Sequence, residues 1–341
     1  MKSSPEERVV MKHGSGGRAM RRLIEKVLAN GYPEPDGFGL AAMDDGAALR
    51  IGDQWLIFTT DAHVVKPITF PGGDIGRIAV CGTVNDLAVM GATRPLGLSC
   101  AVVIEEGFPR AELVRIQASM LAACVEAGTT VVTGDTKVMG RGEIDGIVIT
   151  TAGVGMADRV VSDRGLREGD LLLVSGTLGD HGLAIMAARG GLAMEAALSS
   201  DVAPLNGLVR AALAAGGERV VAMKDPTRGG LASALHEMAE KGGVGIVIDE
   251  AAVPITDEVR AVAEIVGIDP LHVANEGKVV LGVRPEARDL VLDALRAHPL
   301  GRRAAVIGHC VAAPAGRVVL ETGFGRRILA EPEGELLPRI C

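Results

Sequence analysis

The sequence has very few aromatic residues and no concentrated positive charge. Among 341 residues there are one Trp, one Tyr and five Phe, and the 35 Lys and Arg are outnumbered by 43 Asp and Glu. No basic run is longer than two residues. A nucleic-acid-binding surface requires a positive field and usually stacking aromatics. We therefore expect no nucleic-acid partner.

The sequence also lacks the segments that place a protein in or across a membrane. No apolar run approaches the ~20 residues that span a bilayer, and residues 1–8 lack the apolar core of a signal peptide. The five cysteines include no C-x-x-C pair, which argues against a disulfide framework or a zinc knot. We therefore expect a cytoplasmic protein with no membrane partner.

Apolar residues are plentiful enough for two folded cores. At ~150 residues per domain, a chain of 341 residues is too long for one average domain and fits two. Helical and strand patterns alternate along the chain, which is typical of an α/β or an α+β protein. A polar stretch at 158–169 separates the halves. We predict domains at 1–158 and 168–316, followed by a terminal segment at 317–341.

Apolar periodicity locates most of the predicted helices and strands. Helices are predicted at 20–30, 74–92, 113–124, 181–189, 204–214, 228–241 and 286–297. Strands are predicted at 54–60, 96–104, 130–133, 146–152, 171–174, 244–248 and 279–283. The last eleven residues contain two prolines and a glycine, which favours a mobile arm over a packed element.

Aspartate recurs beside glycine or where a strand meets a helix. The five such sites are Asp44-Asp45-Gly46-Ala47, Thr59-Thr60-Asp61, Val84-Asn85-Asp86-Leu87, Gly134-Asp135-Thr136-Lys137 and Asp225-Pro226-Thr227-Arg228-Gly229-Gly230. Clustered carboxylates suit Mg²⁺, which also binds phosphate oxygens. Glycine and helix N-termini let the backbone approach a polyphosphate. The familiar P-loop, dinucleotide, G-x-S-x-G and H-E-x-x-H motifs do not occur.

Each of these sites also has a simpler interpretation, because aspartate and glycine are common in turns and helix caps. Lys137 and Arg228 add possible phosphate contacts to the acidic sites. A magnesium–nucleotide site and a set of ordinary turns therefore both remain open as explanations of the pattern.

Longer motifs carry a resemblance that covers nearly the whole chain. They are His13-Gly14-Ser15-Gly16-Gly17, Asp44-Asp45-Gly46-Ala47, Phe70-Pro71-Gly72-Gly73-Asp74-Ile75-Gly76, the run 79–88, the run 132–137, the run 225–231, Val273-Ala274-Asn275-Glu276-Gly277-Lys278 and Leu337-Pro338-Arg339-Ile340-Cys341. With these motifs the sequence resembles the hydrogenase maturation family HypE. That family belongs to the superfamily of aminoimidazole ribonucleotide synthetase, selenophosphate synthetase and thiamine-monophosphate kinase. The terminal P-R-I-C is the most specific motif.

The resemblance implies a two-domain α+β fold of the aminoimidazole ribonucleotide synthetase type. The N-terminal domains of two copies would pair through their sheets, giving a homodimer with an ATP cleft on each side. The implied Mg²⁺ ligands are Asp44, Asp45, Asp86 and Asp225, with the choice between Asp44 and Asp45 left open. The implied nucleotide contacts are Asp61, Asp86, Gly134, Asp135, Thr136, Lys137 and Arg228.

The family's reaction uses a terminal thiol, here Cys341. A separate carbamoyltransferase, HypF, places a carbamoyl group on the sulfur. ATP then phosphorylates the amide oxygen, and loss of phosphate leaves a protein thiocyanate. The resemblance makes Glu276 the base that takes protons from nitrogen and Lys137 the bridge between phosphate and carbamoyl oxygen. The cyano group would pass to an iron-scaffold complex of HypC and HypD, for the iron centre of [NiFe] hydrogenase.

Two other functions remain open from the sequence. A superfamily synthetase or kinase would act on a free small molecule and would not need residues 338–341. A scaffold would bind nucleotide mainly to dock maturation partners. A cysteine also falls at a chain end by chance. His63, where the family has a small residue, is either a bystander or a proton donor beside phosphate.

Overall fold

The computed structural model describes residues 8–14, 16–190, 198–332 and 340–341. Two large mixed β-sheets with helices packed against them form the protein, as the predicted α+β class requires. Among these residues, no helix combines the length and the apolar character needed to cross a bilayer.

The N-terminal half builds the first sheet and its helices. In chain order its elements are α1 (Gly17–Leu23), β1 (Gly37–Phe38), β2 (Ala47–Ile51), β3 (Gln54–His63), β4 (Thr69–Phe70), β5 (Gly73–Asp74), α2 (Ile75–Val89), β6 (Pro95–Glu105), α3 (Arg110–Ala127), β7 (Val131–Met139) and β8 (Ile147–Ala157). The six-stranded sheet has the order β1–β2–β3–β8–β6–β7, and β4 pairs with β5 separately. Only β6 and β7 run parallel; the other neighbours are antiparallel.

Helix α2 is the buried centre of the first domain. Asp74 caps its N-terminus by accepting a hydrogen bond from the Arg77 N–H at 2.9 Å, which satisfies one of the free N–H groups of the first turn. Ile78, Val84 and Leu87 are fully buried because α2 packs against both the sheet and α3. The predicted helix at 74–92 is confirmed, and it is covered on almost every side.

Strand β7 is the open edge of the first sheet. It pairs with β6 on one side only, and eight of its nine residues are exposed. Val132 and Val138 are 63% and 69% exposed. A long, flat edge strand with apolar side chains presents unpaired N–H and C=O groups to any chain that can pair with it.

The C-terminal half builds the second sheet. In chain order its elements are β9 (Leu171–Val174), α4 (Asp180–Arg189), α5 (Asn206–Gly216), β10 (Val220–Lys224), α6 (Gly230–Gly242), β11 (Gly245–Asp249), α7 (Asp257–Val266), β12 (Val280–Val283), α8 (Arg288–Ala297), β13 (Ala305–Val311), β14 (Val318–Thr322) and β15 (Gly325–Ile328). The seven strands have the order β10–β12–β9–β13–β11–β14–β15.

The second sheet continues past residue 316, where the sequence analysis ended the second domain. Strands β14 and β15 follow that point, and Val318, Leu320 and Leu329 are fully buried. The alternating buried positions of β14 are only two, Val318 and Leu320. Two positions are too few to be recognised as a period-two pattern. Helix α7 and strand β10 are also additions to the predicted elements.

Candidate active site

A cavity of about 690 Å³ lies between the two domains. Most of the residues that the sequence singles out meet on its wall. They are Asp44, Asp45, Asp61 and Asp86 from the first domain, Asp225, Arg228 and Glu276 from the second, and Cys341. Six acidic side chains from distant parts of the chain therefore face one space, as expected where a cation and a polyphosphate bind together.

Four predicted nucleotide contacts do not line this cavity. Gly134, Asp135, Thr136 and Lys137 lie on the open edge strand β7. Asp61 on β3 and Gly134 on β7 share one row across the sheet, with β8 and β6 between them. Three strand spacings separate the two residues by about 14 Å. Lys137 Nζ instead lies 2.9 Å from Asp135 Oδ2, with both side chains exposed.

Asp61 and Asp86 form the first-domain wall of the cavity. Asp86 Oδ2 accepts a hydrogen bond from Thr59 Oγ1 at 2.8 Å, and Asp61 Oδ2 accepts one from Thr83 Oγ1 at 2.8 Å. Burial raises the pKa of Asp86 well above its usual value, and the charges of Asp61 and Asp225 raise it further. A bound cation would stabilise the ionised form of Asp86, because its positive charge would offset both the loss of solvation and the repulsion from neighbouring carboxylates.

Asp44 and Asp45 differ in what their carboxylates contact. Asp44 accepts hydrogen bonds from the Asp45 N–H at 3.1 Å and from Ser162 Oγ at 2.5 Å. Asp45 accepts a hydrogen bond from Lys224, whereas its second oxygen, Oδ2, is buried without a hydrogen-bond partner. Burial raises the pKa of Asp45 well above its usual value, and the Lys224 charge opposes that rise. Asp45 is thus the one of the pair with an oxygen left for a ligand.

The loop at the start of α6 brings Arg228 to the acidic wall. Gly230 has φ of +62°, and a Cβ there would lie 2.6 Å from the Val273 carbonyl oxygen, so only glycine fits. The negative charge at Cys341 is the largest cause of the raised pKa of Arg228, which burial opposes. Arg228 therefore stays charged and lies close to the end of the chain.

Glu276 is buried with only 3% of its surface exposed. Its N–H donates to Asp201 Oδ1 at 3.0 Å, and its carbonyl oxygen accepts from Asn85 Nδ2 at 3.2 Å. Burial raises the pKa of the Glu276 carboxyl well above its usual value, and Asp225 raises it further. Its Oε1 atom has no hydrogen-bond partner. When ionised, such a carboxylate accepts a proton readily.

Asn85 and Lys224 belong to the site although the sequence analysis did not single them out. Asn85 Oδ1 accepts from the Leu205 N–H at 2.7 Å while its amide donates to Glu276, so it ties α2 to the second domain. Lys224, 8% exposed, lies 3.3 Å from Glu237 Oε2 and also contacts Asp45. The sequence carried one signal for each residue, since Asn85 directly precedes Asp86 and Lys224 directly precedes Asp225. Both aspartates are predicted metal ligands.

His63 lines the cavity but does not fit the role of a proton donor. Its Nε2 lies 3.2 Å from Thr151 Oγ1 in the core of the first domain. Burial lowers its pKa to about 4, although Asp61 opposes the change. The imidazole is neutral near pH 7 and lacks the second ring proton that an imidazolium gives as an acid. This favours the bystander interpretation.

No group of three His, Cys, Asp or Glu side chains in the described ranges is arranged to cage a metal ion. The donor set nevertheless fits Mg²⁺ shared with a nucleotide, since Asp45 Oδ2 is buried without a hydrogen-bond partner among the other acids of the cavity. Protein-bound Mg²⁺ is usually held by one or two carboxylates together with substrate phosphates. The assignment of individual metal ligands stays a prediction.

The end of the chain lies in the cavity. A main-chain oxygen of Cys341 accepts a hydrogen bond from the Val64 N–H at 3.0 Å, and Ile340 is buried in an apolar cluster that contains residues of both domains. The tip of the predicted arm is therefore packed. Residues 333–339, which include Arg339 of the terminal motif, lie outside the described residues, so the mobility of the arm stays a prediction.

Comparison with known proteins places the chain in a family. The model for the AIR synthase related protein, N-terminal domain, matches residues 43–157, and the model for its C-terminal domain matches residues 167–321. The carbamoyl dehydratase HypE of Rhizobium leguminosarum bv. viciae is 49% identical over 337 residues, covering 98% of this chain and 95% of that protein. The chain belongs to the HypE family.

Solved HypE structures share the fold. HypE in a crystal structure of a HypE–HypF complex matches with a TM-score of 0.85 and 43% identity, covering 91% of this chain and 99% of that one. A hydrogenase maturation protein HypE in complex with ATP matches with a TM-score of 0.81 and 42% identity, covering 98% and 100%. The predicted family and its two-domain superfamily fold are confirmed.

Proposed function

We propose that this HypE-family protein is an ATP-dependent carbamoyl dehydratase. It converts a carbamoyl group on the Cys341 thiol into a thiocyanate, which supplies the cyano ligand for the iron centre of [NiFe] hydrogenase. The observation that carries the proposal is that Cys341 lies in an acidic cavity together with Arg228 and Glu276. A substrate attached to the end of the protein itself suits such a cavity. The Rhizobium relative named above carries the same activity in its name.

The atoms balance with ATP as the only co-substrate. The S-carboxamide, S–C(=O)–NH₂, gives its oxygen to the γ-phosphoryl group of ATP, and ADP leaves. The two nitrogen protons are then removed, the C–O bond to phosphate breaks, and S–C≡N remains. Phosphorylation turns a poor leaving group into a good one, so the remaining tasks are proton removal and charge stabilisation.

Glu276 is suited to accept the nitrogen protons. Its raised pKa makes its carboxylate a stronger base than an exposed glutamate, and its Oε1 atom has no other partner. Arg228, whose charge is held by Cys341 and the acids of the cavity, would stabilise negative charge that develops at the reacting group. The reaction also requires that water be kept from the activated carbon, so the cavity would have to close around the loaded thiol and the nucleotide.

Mg²⁺ and ATP would occupy the acidic end of the cavity. We infer that Asp45, Asp86 and Asp225 hold the ion, with Asp44 supporting the turn through Ser162. When bound, Mg²⁺ neutralises charge on the transferring phosphoryl group. Asp61, Asp86 and Arg228 would meet the nucleotide within the same chain. Burial and neighbouring carboxylates raise the pKa of each of the three aspartates proposed to hold the ion. A bound cation would relieve the same unfavourable electrostatics.

A homodimer would complete the site. Strand β7 is exposed along almost its whole length, and pairing with a second copy would cover its apolar side chains and its free edge. The same pairing would carry Gly134, Asp135, Thr136 and Lys137 of one chain to the cavity of the other. In this arrangement Lys137 reaches the phosphate and the carbamoyl oxygen from the opposite subunit, which resolves its distance from the cavity of its own chain.

The partners follow from the reaction. A carbamoyltransferase, HypF, would load Cys341, and an iron-scaffold complex of HypC and HypD would receive the cyano group. A solved complex pairs a HypE protein with HypF. The thiol has to leave the cavity to meet either partner. We place these steps in the cytoplasm.

Mass spectrometry of the peptide that contains Cys341 tests the proposal without a partner protein. Cyanate adds to thiols and gives S-carboxamide, and the other four cysteines are buried. We expect Mg-ATP to remove the mass of one water molecule from the loaded peptide. A non-hydrolysable ATP analogue and the Cys341→Ser variant provide the controls.

A loaded peptide that keeps its mass while ATP is hydrolysed would contradict the dehydratase. Hydrolysis that depends on an added small molecule would indicate a synthetase or kinase. Binding of ATP with neither change would indicate a scaffold.

A further inference from the structure

The terminal segment is held at two separate places by histidines. At its root, His236 Nε2 lies 2.8 Å from the Leu329 carbonyl oxygen and His272 Nε2 lies 2.9 Å from the Ala330 carbonyl oxygen. At its tip, His181 Nε2 lies 2.8 Å from the Ile340 carbonyl oxygen. A carbonyl can only accept, so each ring donates from Nε2.

The root of the segment has further anchors. Glu331 is buried and forms ion pairs with Arg18 and Arg21. A Cβ on Gly17 would lie 2.2 Å from the Pro332 carbonyl oxygen, so the chain passes close to the start of α1. The root is thus fixed by several contacts of different kinds.

The tip sits in a fitted hollow beside α4. The Ile340 side chain is buried with 4% exposed. A Cβ on Gly182 would lie 3.0 Å from Ile340 Cδ1 and 2.3 Å from Val273 Cγ1. Any larger residue at 182 would therefore close the space that the isoleucine fills. The hollow has room for the side chain because position 182 is glycine.

A chain of hydrogen bonds sets the tautomer of His181. The Val202 N–H donates to Ser200 Oγ at 3.1 Å, and Ser200 Oγ lies 2.7 Å from His181 Nδ1. Because the serine oxygen already accepts from the backbone, its hydroxyl proton is free to go to Nδ1. The ring proton is then left on Nε2, which faces the Ile340 carbonyl oxygen.

Burial is the main reason that the ring is neutral. It lowers the pKa of His181, the charges of Arg189 and Lys278 lower it further, and Asp201 and the hydrogen bond to the Ile340 carbonyl oxygen oppose the change. A neutral ring with its single proton on Nε2 is the form that donates to the tip and accepts from Ser200.

We propose that His181 is a positioning residue that seats the tip of the chain, so that the Cys341 sulfur is held in the cavity by contacts separate from those that anchor the root. The inference rests on the proposed function for its purpose, because a thiol that must be carried between the cavity and partner proteins needs a seat that it can leave. The Ile340 side chain, the His181 bond and the Val64 bond provide that seat.

Alkylation of Cys341 by iodoacetamide, followed by mass spectrometry of the terminal peptide, tests the seat without ATP or a carbamoyl group. His181→Leu removes the donor, and we expect the alkylation rate to rise about tenfold. His181→Gln places an amide donor near the position of Nε2 and should return the rate to within about twofold of wild type. The matched control is His236→Leu, which removes the same kind of bond from the root.

We expect His236→Leu to lower the melting temperature while leaving the Cys341 rate within about twofold of wild type. Equal rates in His181→Leu and wild type, with both proteins folded by circular dichroism, would overturn the proposal. An equal rise in both leucine variants would also overturn it, since the segment would then open as one unit. If the rates follow His181 but the wild-type protein fails to dehydrate its carbamoyl group, the seat stands and the proposed function falls.

Discussion

The cavity and the open strand β7 both carry aspartates, but the pKa values of these aspartates are shifted in opposite directions. In the cavity, burial raises the pKa of Asp45, Asp86 and Asp225. On β7, hydrogen bonds from Lys137 and from the backbone lower the pKa of Asp135. A solvated ion pair has little to gain from a ligand, whereas clustered buried carboxylates gain much from a cation. We propose that the cavity is a binding site within a single chain, and that β7 becomes part of such a site only when a second chain pairs with it.

The largest expected effect comes from the Cys341 thiol, which lies in the cavity. Cys341→Ala should abolish thiocyanate formation and leave binding of Mg-ATP near wild type, because the acidic wall is intact. Calorimetric titration with Mg-ATP checks the binding, and mass spectrometry checks the product. Loss of nucleotide binding would show that the end of the chain is part of the nucleotide site.

Lys137→Ala tests whether β7 acts from the opposite subunit. We expect the rate to fall by about 10² to 10³ through the loss of charge stabilisation. The matched control is Lys66→Ala, because Lys66 also pairs with an aspartate, Asp145, on the exposed surface of the same domain. The control should retain the wild-type rate.

Mixing the two variant chains sharpens this prediction. In a heterodimer of Lys137→Ala and Cys341→Ala chains, one cavity would keep its thiol and receive Lys137 from its partner. Random exchange should then restore about one quarter of the wild-type activity. If no activity returns although heterodimers form, Lys137 acts within its own chain, and the comparison between the two regions fails.

The pH dependence of the reaction rate should distinguish the cavity from β7, because the pKa values of their carboxyl groups are shifted in opposite directions. The rate should fall as the pH is lowered, because Glu276 must be ionised to act as a base and its pKa is raised. Asp225, with a pKa of about 6, loses its charge between about pH 7 and pH 5, whereas Asp135, with a lowered pKa, keeps its charge. A rate that is flat over this range in single-turnover measurements would argue against a buried carboxylate as the base.

The smallest effect concerns stability without ligand. The folded state binds a proton at Asp225 more tightly than the unfolded state, so this group's contribution to stability is lost as the pH rises through about 6. Asp225→Asn should therefore raise the free energy of unfolding at pH 7 by about 1–3 kcal/mol. It should also reduce the thermal shift produced by Mg-ATP.

Denaturant titration at pH 7 gives the free energy of unfolding for this comparison. Asp135→Asn, the same change on β7, should not alter the free energy of unfolding appreciably, because that side chain is solvated. A destabilised Asp225→Asn protein would mean that the carboxylate supports the fold rather than a ligand.

Some features of the fold were predictable because they depend on neighbours in sequence. The helix at 74–92 and the strand at 171–174 are confirmed nearly to the residue, since each has a strong apolar pattern and a clear boundary. Strand β14 was missed because its buried residues, Val318 and Leu320, give too short a pattern. The packed position of Ile340 was missed because proline and glycine dominate the segment before it.

The sequence by itself determined the family, the acidic motifs and the glycines that let loops approach one another, because these depend on residue types at fixed spacing. Only the tertiary structure decided which acids share a cavity, that Asn85 and Lys224 join them, and that Lys137 does not. The pKa of a carboxylate depends on burial and on charges that lie more than a hundred residues away along the chain, as with Asp45 and Lys224. Such distances close only when two domains pack.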